Sequence, residues 1–283
     1  MNRQENNLPF SLWKNMVQKV RRSSPIVHCI TNYVTAGWCA DALLAIGAAP
    51  IMADEMDEMD EIAAIAGALV LNIGTLRQSS LASMRRAAET ANRLNNPILL
   101  DPVGAGASRL RTESALLLLN DYHPAVVRGN ISEILALAGC TTESRGVDAD
   151  PAALVHTDRM TENAEWAAQL ARRWQCVVAI SGPIDIISDG RRTCAVGGGD
   201  PMMSRITGCG CMLSALCGAF LAAETDPWNA VSACFAMMSL CGNHAAQSVR
   251  AAGGGTASFR VRLLDALSLF SPEHLADAAV QVL

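Results

Sequence analysis

Aromatic residues are scarce in this chain: Phe, Trp and Tyr together make up 4% of its 283 residues. Charged residues are few as well, at 17%. Hydrophobic residues reach 51%, so the core is built from small and branched side chains, mainly Ala, Leu, Ile and Val. Such a core suits a parallel sheet buried between helices. The low charge also points to surface hidden in an oligomer. No apolar run approaches the ~20 residues that a membrane span needs. The segment from Met1 to Leu8 is polar and lacks the apolar stretch of a secretory signal. We therefore expect a cytoplasmic protein with no membrane contact. A formal net charge of −5 argues against a nucleic-acid partner. No Pro/Ser/Gly-rich linker, charge block or internal repeat divides the chain. Residues 1–283 read as one domain, long enough to bury roughly three-quarters of its unfolded surface.

There is also no C-x-x-C pair among the ten cysteines. Cys29, Cys39, Cys140, Cys176, Cys194, Cys217, Cys234 and Cys241 lie in apolar surroundings and read as buried free thiols, ordinary small core residues. The five histidines form no metal-ligand spacing, and no G-x-S-x-G elbow supports serine hydrolase chemistry.

What is present is an alternation of short apolar runs and longer amphipathic ones, the mark of α/β architecture. Strands are expected at 26–30, 50–53, 69–73, 98–100, 125–127 and 176–180. Helices are expected at 8–22, 36–46, 57–66, 77–94, 131–138, 161–174, 212–223 and 227–249, with two shorter ones near the end. Thr161 is a plausible N-cap. Asp189-Gly190 between 184–188 and 192–196 predicts a hairpin, and 139–151 reads as loop. The expected fold is three-layered, a mostly parallel central sheet flanked by helices on both faces. Ligands in such sheets bind beyond the C-terminal strand ends, which here means Asn32, Met52, Asp101, Arg128 and Ser181.

Four segments carry possible chemistry. Thr207-Gly208-Cys209-Gly210-Cys211 opens an apolar helix, where free N–H groups and the helix dipole favour an anion; the glycines could equally serve a tight turn. Arg128-Gly129-Asn130-Ile131-Ser132-Glu133 places an arginine suited to phosphate before an Asn and a Glu one turn apart. Those two could hold Mg²⁺ or simply cap the helix. Leu100-Asp101-Pro102 leaves a carboxylate at the end of a buried strand, where it demands a partner, although an Asp there could merely serve a turn. Asn32 and Met52 could line a small pocket with one polar handle, or Met52 could be core.

Together these segments resemble the hydroxyethylthiazole kinase family of the ribokinase-like superfamily. The resemblance runs from about Pro25 to Leu267. It rests on Val27-His28-Cys29-Ile30-Thr31-Asn32, Pro50-Ile51-Met52, Asn72-Ile73-Gly74-Thr75-Leu76, Leu100-Asp101-Pro102-Val103, Arg128-Gly129-Asn130-Ile131-Ser132-Glu133, Gly198-Gly199-Asp200-Pro201 and the Gly208–Cys211 segment, in this order. It implies a ribokinase-like fold, ATP and Mg²⁺ as cosubstrates, and a homotrimer with pockets at subunit contacts. The reaction implied is phosphorylation of the primary alcohol of 4-methyl-5-(2-hydroxyethyl)thiazole in thiamine biosynthesis or salvage. The thiazole would lie near Asn32, Met52 and Gly208. Arg128, Ser181 and the glycine-rich loop would hold ATP, while Asp101, Asn130 and Glu133 would organise Mg²⁺. Cys211 takes the place of the superfamily's usual catalytic Asp, Cys209 that of a commoner Ala or Thr, and Ser181 that of a frequent Thr. Two rivals remain: a kinase for a related small alcohol such as hydroxymethylpyrimidine, and a non-catalytic small-molecule-binding relative.

Overall fold

The computed structural model describes residues 10–140 and 160–283. Its strands grow from the apolar runs: β1 (Ile26–Ile30), β2 (Ala49–Ile51), β3 (Ala68–Asn72), β4 (Ile98–Asp101), β5 (Val126–Asn130), β6 (Val177–Ser181), β7 (Asp185–Ser188), β8 (Thr193–Val196) and β9 (Val280–Val282). Among the described residues these form one sheet in the order β2-β1-β3-β4-β5-β6-β7-β8-β9. Pairing is parallel from β2 through β6 and antiparallel from β6 through β9.

Successive strand side chains point to opposite faces, and the two cores follow that period. Val27, Cys29, Val70, Leu99, Val126 and Ala179 pack on one face. Ile30, Leu71, Leu100, Val127 and Ile180 pack on the other. The first face is covered by α1 (Phe10–Ser23), α2 (Ala36–Ala45), α8 (Cys209–Ala223), α9 (Pro227–Ala251) and α10 (Thr256–Ser268). The second is covered by α3 (Met59–Ile65), α4 (Gln78–Leu94), α5 (Arg109–Tyr122), α6 (Ile131–Ala138) and α7 (Met160–Trp174). Among the described residues no helix is long and apolar enough to cross a membrane.

Most expected elements form, with ends displaced by a few residues. Three differences matter. Helix α5 and strand β9 were not anticipated from sequence. Thr161 lies inside α7 and is no cap, because the helix already includes Met160. Strand β3 ends at Asn72, which pairs with Asp101 across the sheet. The 139–151 loop reading falls almost wholly outside the described residues. The hairpin forms, with Asp189 Oδ1 accepting from the N–H groups of Arg191 and Arg192 at 2.8 and 2.6 Å.

Helix α8 sets the position of the Gly208–Cys211 segment. Ser214 apart, it is apolar all round, and Met212 through Leu221 are all buried. It lies directly on the sheet at Gly218, where an added Cβ would come within 2.7 Å of Val70 Cγ2 and 2.8 Å of Val27 Cγ1. Only a glycine lets the helix come this close. Gly218→Ala gains about 1 kcal/mol of helix propensity but overpacks the interface by about 1–3 kcal/mol. We expect a net loss, seen as a lower urea midpoint; an unchanged or higher midpoint would show that the contact is slack.

Candidate active site

The two-residue period of the strands carries straight into the site. Val70, Leu99, Val126 and Ala179 lie on the sheet face that α8 and α9 cover, and by the same period so do the residues two further on: Asn72, Asp101, Arg128 and Ser181. Four adjacent parallel strands thus end in polar side chains on one face, beneath the first turn of α8.

Asp101 is fully buried. Its Oδ2 accepts from Asn72 Nδ2 at 2.8 Å and from Ser214 Oγ, on α8, at 2.7 Å. Arg128 Nη1 stands 3.8 Å away. Oδ1 has no donor. Burial pushes this carboxyl up to about 6, against the pull of Arg128 and the two hydrogen bonds. Arg128 is itself buried; its Nη2 donates to Ser181 Oγ at 2.8 Å. The guanidinium lies flat under the glycine-rich turn, since a Cβ on Gly210 would come within 2.8 Å of Nη1.

The turn itself begins at Gly208, whose φ of +94° caps α8 in the left-handed region that glycine enters without strain. Met212 N–H reaches Gly208 O at 2.7 Å. The N–H groups of Cys209, Gly210 and Cys211 are left free by helix geometry. Arg260 of α10 stacks on Trp38 of α2 at 4.3 Å and donates to Thr207 O at 3.4 Å, bracing the approach to the turn.

Cys211 turns its sulfur to two side-chain amides. Asn32 Nδ2 lies 3.2 Å and Asn72 Nδ2 3.3 Å from Sγ. Gly208, Cys209 and Gly210 instead line a cavity of about 760 Å³. One part of its wall is polar, with Arg128, Ser181 and Asp185; another is apolar, with Met203, Leu213, Phe235 and Met238. This size and mixed lining suit a nucleotide-sized ligand. The turn therefore separates the cavity from the Asn32–Asn72–Cys211 cluster.

Asn130 and Glu133 are brought together as a reciprocal cap of α6. Asn130 Oδ1 accepts from Glu133 N–H at 3.0 Å, and Glu133 Oε2 accepts from Asn130 N–H at 2.9 Å. Glu133 Oε1 also takes the Gly104 N–H at 2.9 Å, tying the loop after β4 to β5. Met52, half-buried after the edge strand β2, packs against the α8-side core. His28 holds the neighbouring Ala53 carbonyl through Nε2 at 2.9 Å, and burial lowers its pKa.

The model for the hydroxyethylthiazole kinase family matches residues 17–273. The chain belongs to the hydroxyethylthiazole kinase family. It is 46% identical to the hydroxyethylthiazole kinase of Methanocella arvoryzae, covering 92% of this chain and 94% of that one. With that of Methanobrevibacter smithii the identity is 42%, over 89% and 90% of the two chains. The solved structure of the Pyrococcus horikoshii hydroxyethylthiazole kinase superposes with a TM-score of 0.82 at 35% identity, covering 96% and 99%. Staphylococcus aureus pyridoxal kinase, at 16% identity and a TM-score of 0.54, shares the fold. The fold is therefore the ribokinase-like one that the sequence led us to expect.

Four site residues were missed from sequence: Asn72, Ser214, Arg111 and Asp185. Arg111 Nη1 donates to Ile73 O and Val103 O, and its Nη2 to Gly74 O, at 2.8–2.9 Å, clamping the loops after β3 and β4. Ser108, whose Oγ accepts from Arg111 N–H, was the available signal for this helix start. Asp185 accepts the Gly182 N–H at 2.9 Å in the cavity wall, and burial pushes its carboxyl up to about 7. A carboxyl raised in the folded state favours folding at low pH, and that contribution is lost as pH climbs from its unfolded value near 4 through about 7. Asp185→Asn keeps the acceptor and removes the titration. Its stability relative to wild type should rise between pH 4 and pH 8 in urea titrations; a flat difference would place the carboxyl in water.

Proposed function

We propose that this chain transfers the γ-phosphoryl group of ATP to the primary alcohol of 4-methyl-5-(2-hydroxyethyl)thiazole, giving its phosphate for thiamine biosynthesis or salvage. The observation that carries this reading is the cavity bounded by Arg128, Ser181 and the free N–H groups of α8, in a chain of this family. A loose phosphoryl-transfer transition state is stabilised mainly by positioning and charge neutralisation. Arg128 and the α8 N-terminus supply both from the protein. The apolar part of the cavity would take the adenine.

The residues fit Mg²⁺. Asp101 Oδ1 is a buried carboxylate oxygen with no donor, and Glu133 adds a second negative charge against Asp101. Among the described residues no three His, Cys, Asp or Glu side chains cluster as a closed metal cage. That suits Mg²⁺, which keeps waters and phosphate oxygens as ligands. Asp101 and Glu133 would hold it, with Asn130 fixing Glu133 through the cap; the ion would neutralise phosphate charge.

The thiazole would sit beside Asn32, Met52 and Gly208, its hydroxyl at Cys211, which accepts the proton as the oxygen attacks phosphorus. The ten thiols, all free, agree with a reducing cytoplasm. The decisive experiment is ADP release with the thiazole alcohol, hydroxymethylpyrimidine and pyridoxal in turn. We expect the thiazole to be preferred and excess chelator to abolish turnover. Preference for another alcohol, or full turnover in chelator, would overturn the substrate or the metal reading respectively.

We further propose a homotrimer with the pocket at a subunit contact. Tyr33 and Val34, adjoining Asn32, are 70% and 52% exposed, an apolar pair that a neighbouring subunit would cover. Light scattering should give three times the chain mass; a fully active monomer would remove the proposal.

A further inference from the structure

We propose that Asn72 is a positioning residue for the phosphoryl transfer, one that holds the Cys211 sulfur as a hydrogen-bond acceptor. The inference rests on the reading that Cys211 takes the proton of the substrate hydroxyl.

Asn72 is buried at the end of β3, and groups with only one possible role fix its orientation. The Gly74 N–H, which can only donate, reaches Asn72 Oδ1 at 2.9 Å. Nδ2 must then face the opposite way, towards Asp101 Oδ2 at 2.8 Å and Cys211 Sγ at 3.3 Å. Asn32 is fixed likewise. Thr35 N–H and Oγ1 donate to its Oδ1 at 3.1 and 2.9 Å, leaving Nδ2 to reach Asn72 Oδ1 at 3.1 Å and Cys211 Sγ at 3.2 Å. An amide nitrogen carries two hydrogens, and in both residues each hydrogen has an acceptor. A side chain on Gly74 would collide with the pair, its Cβ falling 2.9 Å from Asn32 Cβ and 3.0 Å from Asn72 Oδ1.

A neutral thiol sulfur has two lone pairs and one hydrogen. Two N–H donors occupy both pairs, so a thiol held this way can offer only its hydrogen. A thiolate keeps a third pair free after accepting both bonds. Hydrogen bonds to a charged acceptor are also roughly twice as strong as neutral ones. The amide pair thus fixes where the sulfur stands and, once the proton is off, leaves one lone pair open towards the substrate hydroxyl. In the transfer the substrate O–H bond breaks and its proton forms an S–H bond, the oxygen's electron pair forms the new O–P bond, and the bond from the γ-phosphorus to the bridging oxygen breaks, ADP leaving with that electron pair. Other groups act on the same sulfur. Cys39 on α2 and Cys209 on its own helix stand near it, both thiols pushed up to about 12 by burial, and Asp101 on β4 lies one amide away. The nearest positive charge, Arg128 on β5, packs under Gly210.

The test is alkylation of the ligand-free full chain by iodoacetamide at near-neutral pH, read thiol by thiol from peptide masses. In the wild type Cys211 should label faster than Cys209. That thiol is equally half-buried and two residues away, but no amide reaches its sulfur among the described residues. Asn72→Leu keeps the volume and removes the donors. It should slow Cys211 labelling by about tenfold or more, the effect of losing one hydrogen bond to a charged group. Simple loosening would do the reverse, speeding Cys211 and opening the buried Cys217 and Cys234. Labelling of Cys211 that is undiminished in Asn72→Leu, with the core thiols still protected, overturns the inference. If that variant loosens or fails to fold, the wild type decides: Cys211 labelling no faster than Cys209 overturns it alone. Full kinase activity in Cys211→Ala would instead remove the proton-acceptor reading and leave the labelling result standing.

Discussion

A carboxylate buried at the end of a dry strand shapes everything around it. Asp101 is stripped of water, and an isolated ionised carboxylate there would be very costly. Two oxygens have to be supplied with partners from a sheet made almost entirely of aliphatic residues. Ser214 comes down from α8 and Asn72 comes across from β3, while Arg128 brings the nearest positive charge. Each of these groups has a second commitment. Asn72 reaches Cys211, Arg128 holds Ser181, and Ser214 belongs to the helix whose first turn is the glycine-rich segment. Satisfying one carboxylate therefore joins β3, β4, β5, β6 and α8 into a single polar unit. The other oxygen, Oδ1, is left without a donor.

The same unit depends on how closely α8 approaches the sheet. A helix riding higher on a side chain at position 218 would lift Ser214 off Asp101 and Gly210 off Arg128. The glycines of this helix have different jobs. Gly218 removes bulk where the helix meets Val27 and Val70, Gly210 does so where it meets a guanidinium, and Gly208 supplies a backbone angle. Helix dipole, free N–H groups and the buried arginine then converge on one side of the turn, the side that lines the large cavity. The amide pair and the sulfur occupy the other. A reaction joining a polyanion to a neutral alcohol needs that separation, because the surroundings that favour a phosphate differ from those that favour a proton acceptor.

The layered fold was legible because its cause is local. Apolar runs of four to six residues alternate with amphipathic stretches, and the period of two inside Leu69–Asn72 or Ile98–Asp101 already says which face each side chain meets. Helix α5 was not legible in that way. Its buried positions, Ser114, Ala115, Leu118, Leu119 and Tyr122, include a serine and an alanine, and the neighbouring Leu116 and Leu117 blur the stripe. Strand β9 is three residues long and exists only by pairing with β8, a contact distant in sequence. Asp101, Arg128 and Ser181 stood out as polar residues ending apolar strands. Asn72 meets the same criterion but was hidden by a boundary one residue off, since a strand drawn to Ile73 puts the asparagine inside it. Asn130 and Glu133 show the converse limit. The spacing of a capping box and of a metal-organising pair is identical, so the sequence could not choose between them, and the hydrogen-bond partners reveal the cap.

Ten cysteines in a chain for which we propose that one does chemistry pose a selectivity problem, and burial supplies the answer. The thiolate is the reactive form, and apolar surroundings suppress it. Burial pushes Cys39, Cys176, Cys194 and Cys241 up to about 12, and Cys29 and Cys234 well above the ordinary thiol range. Cys209 is driven to about 12 as well, although Arg260 and Arg128 pull the other way. These thiols behave as small hydrophobic residues filling a core that has few aromatic rings to fill it. Cys211 stands on the same helix turn as Cys209 and is likewise half-buried. What separates the two is the direction each sulfur faces: one towards an apolar wall and a pair of cations, the other towards two amides whose carbonyls are already taken. The backbone turn thus presents different groups to each sulfur. The orientation of that turn is in turn set by a glycine two helical turns further along α8, at the sheet.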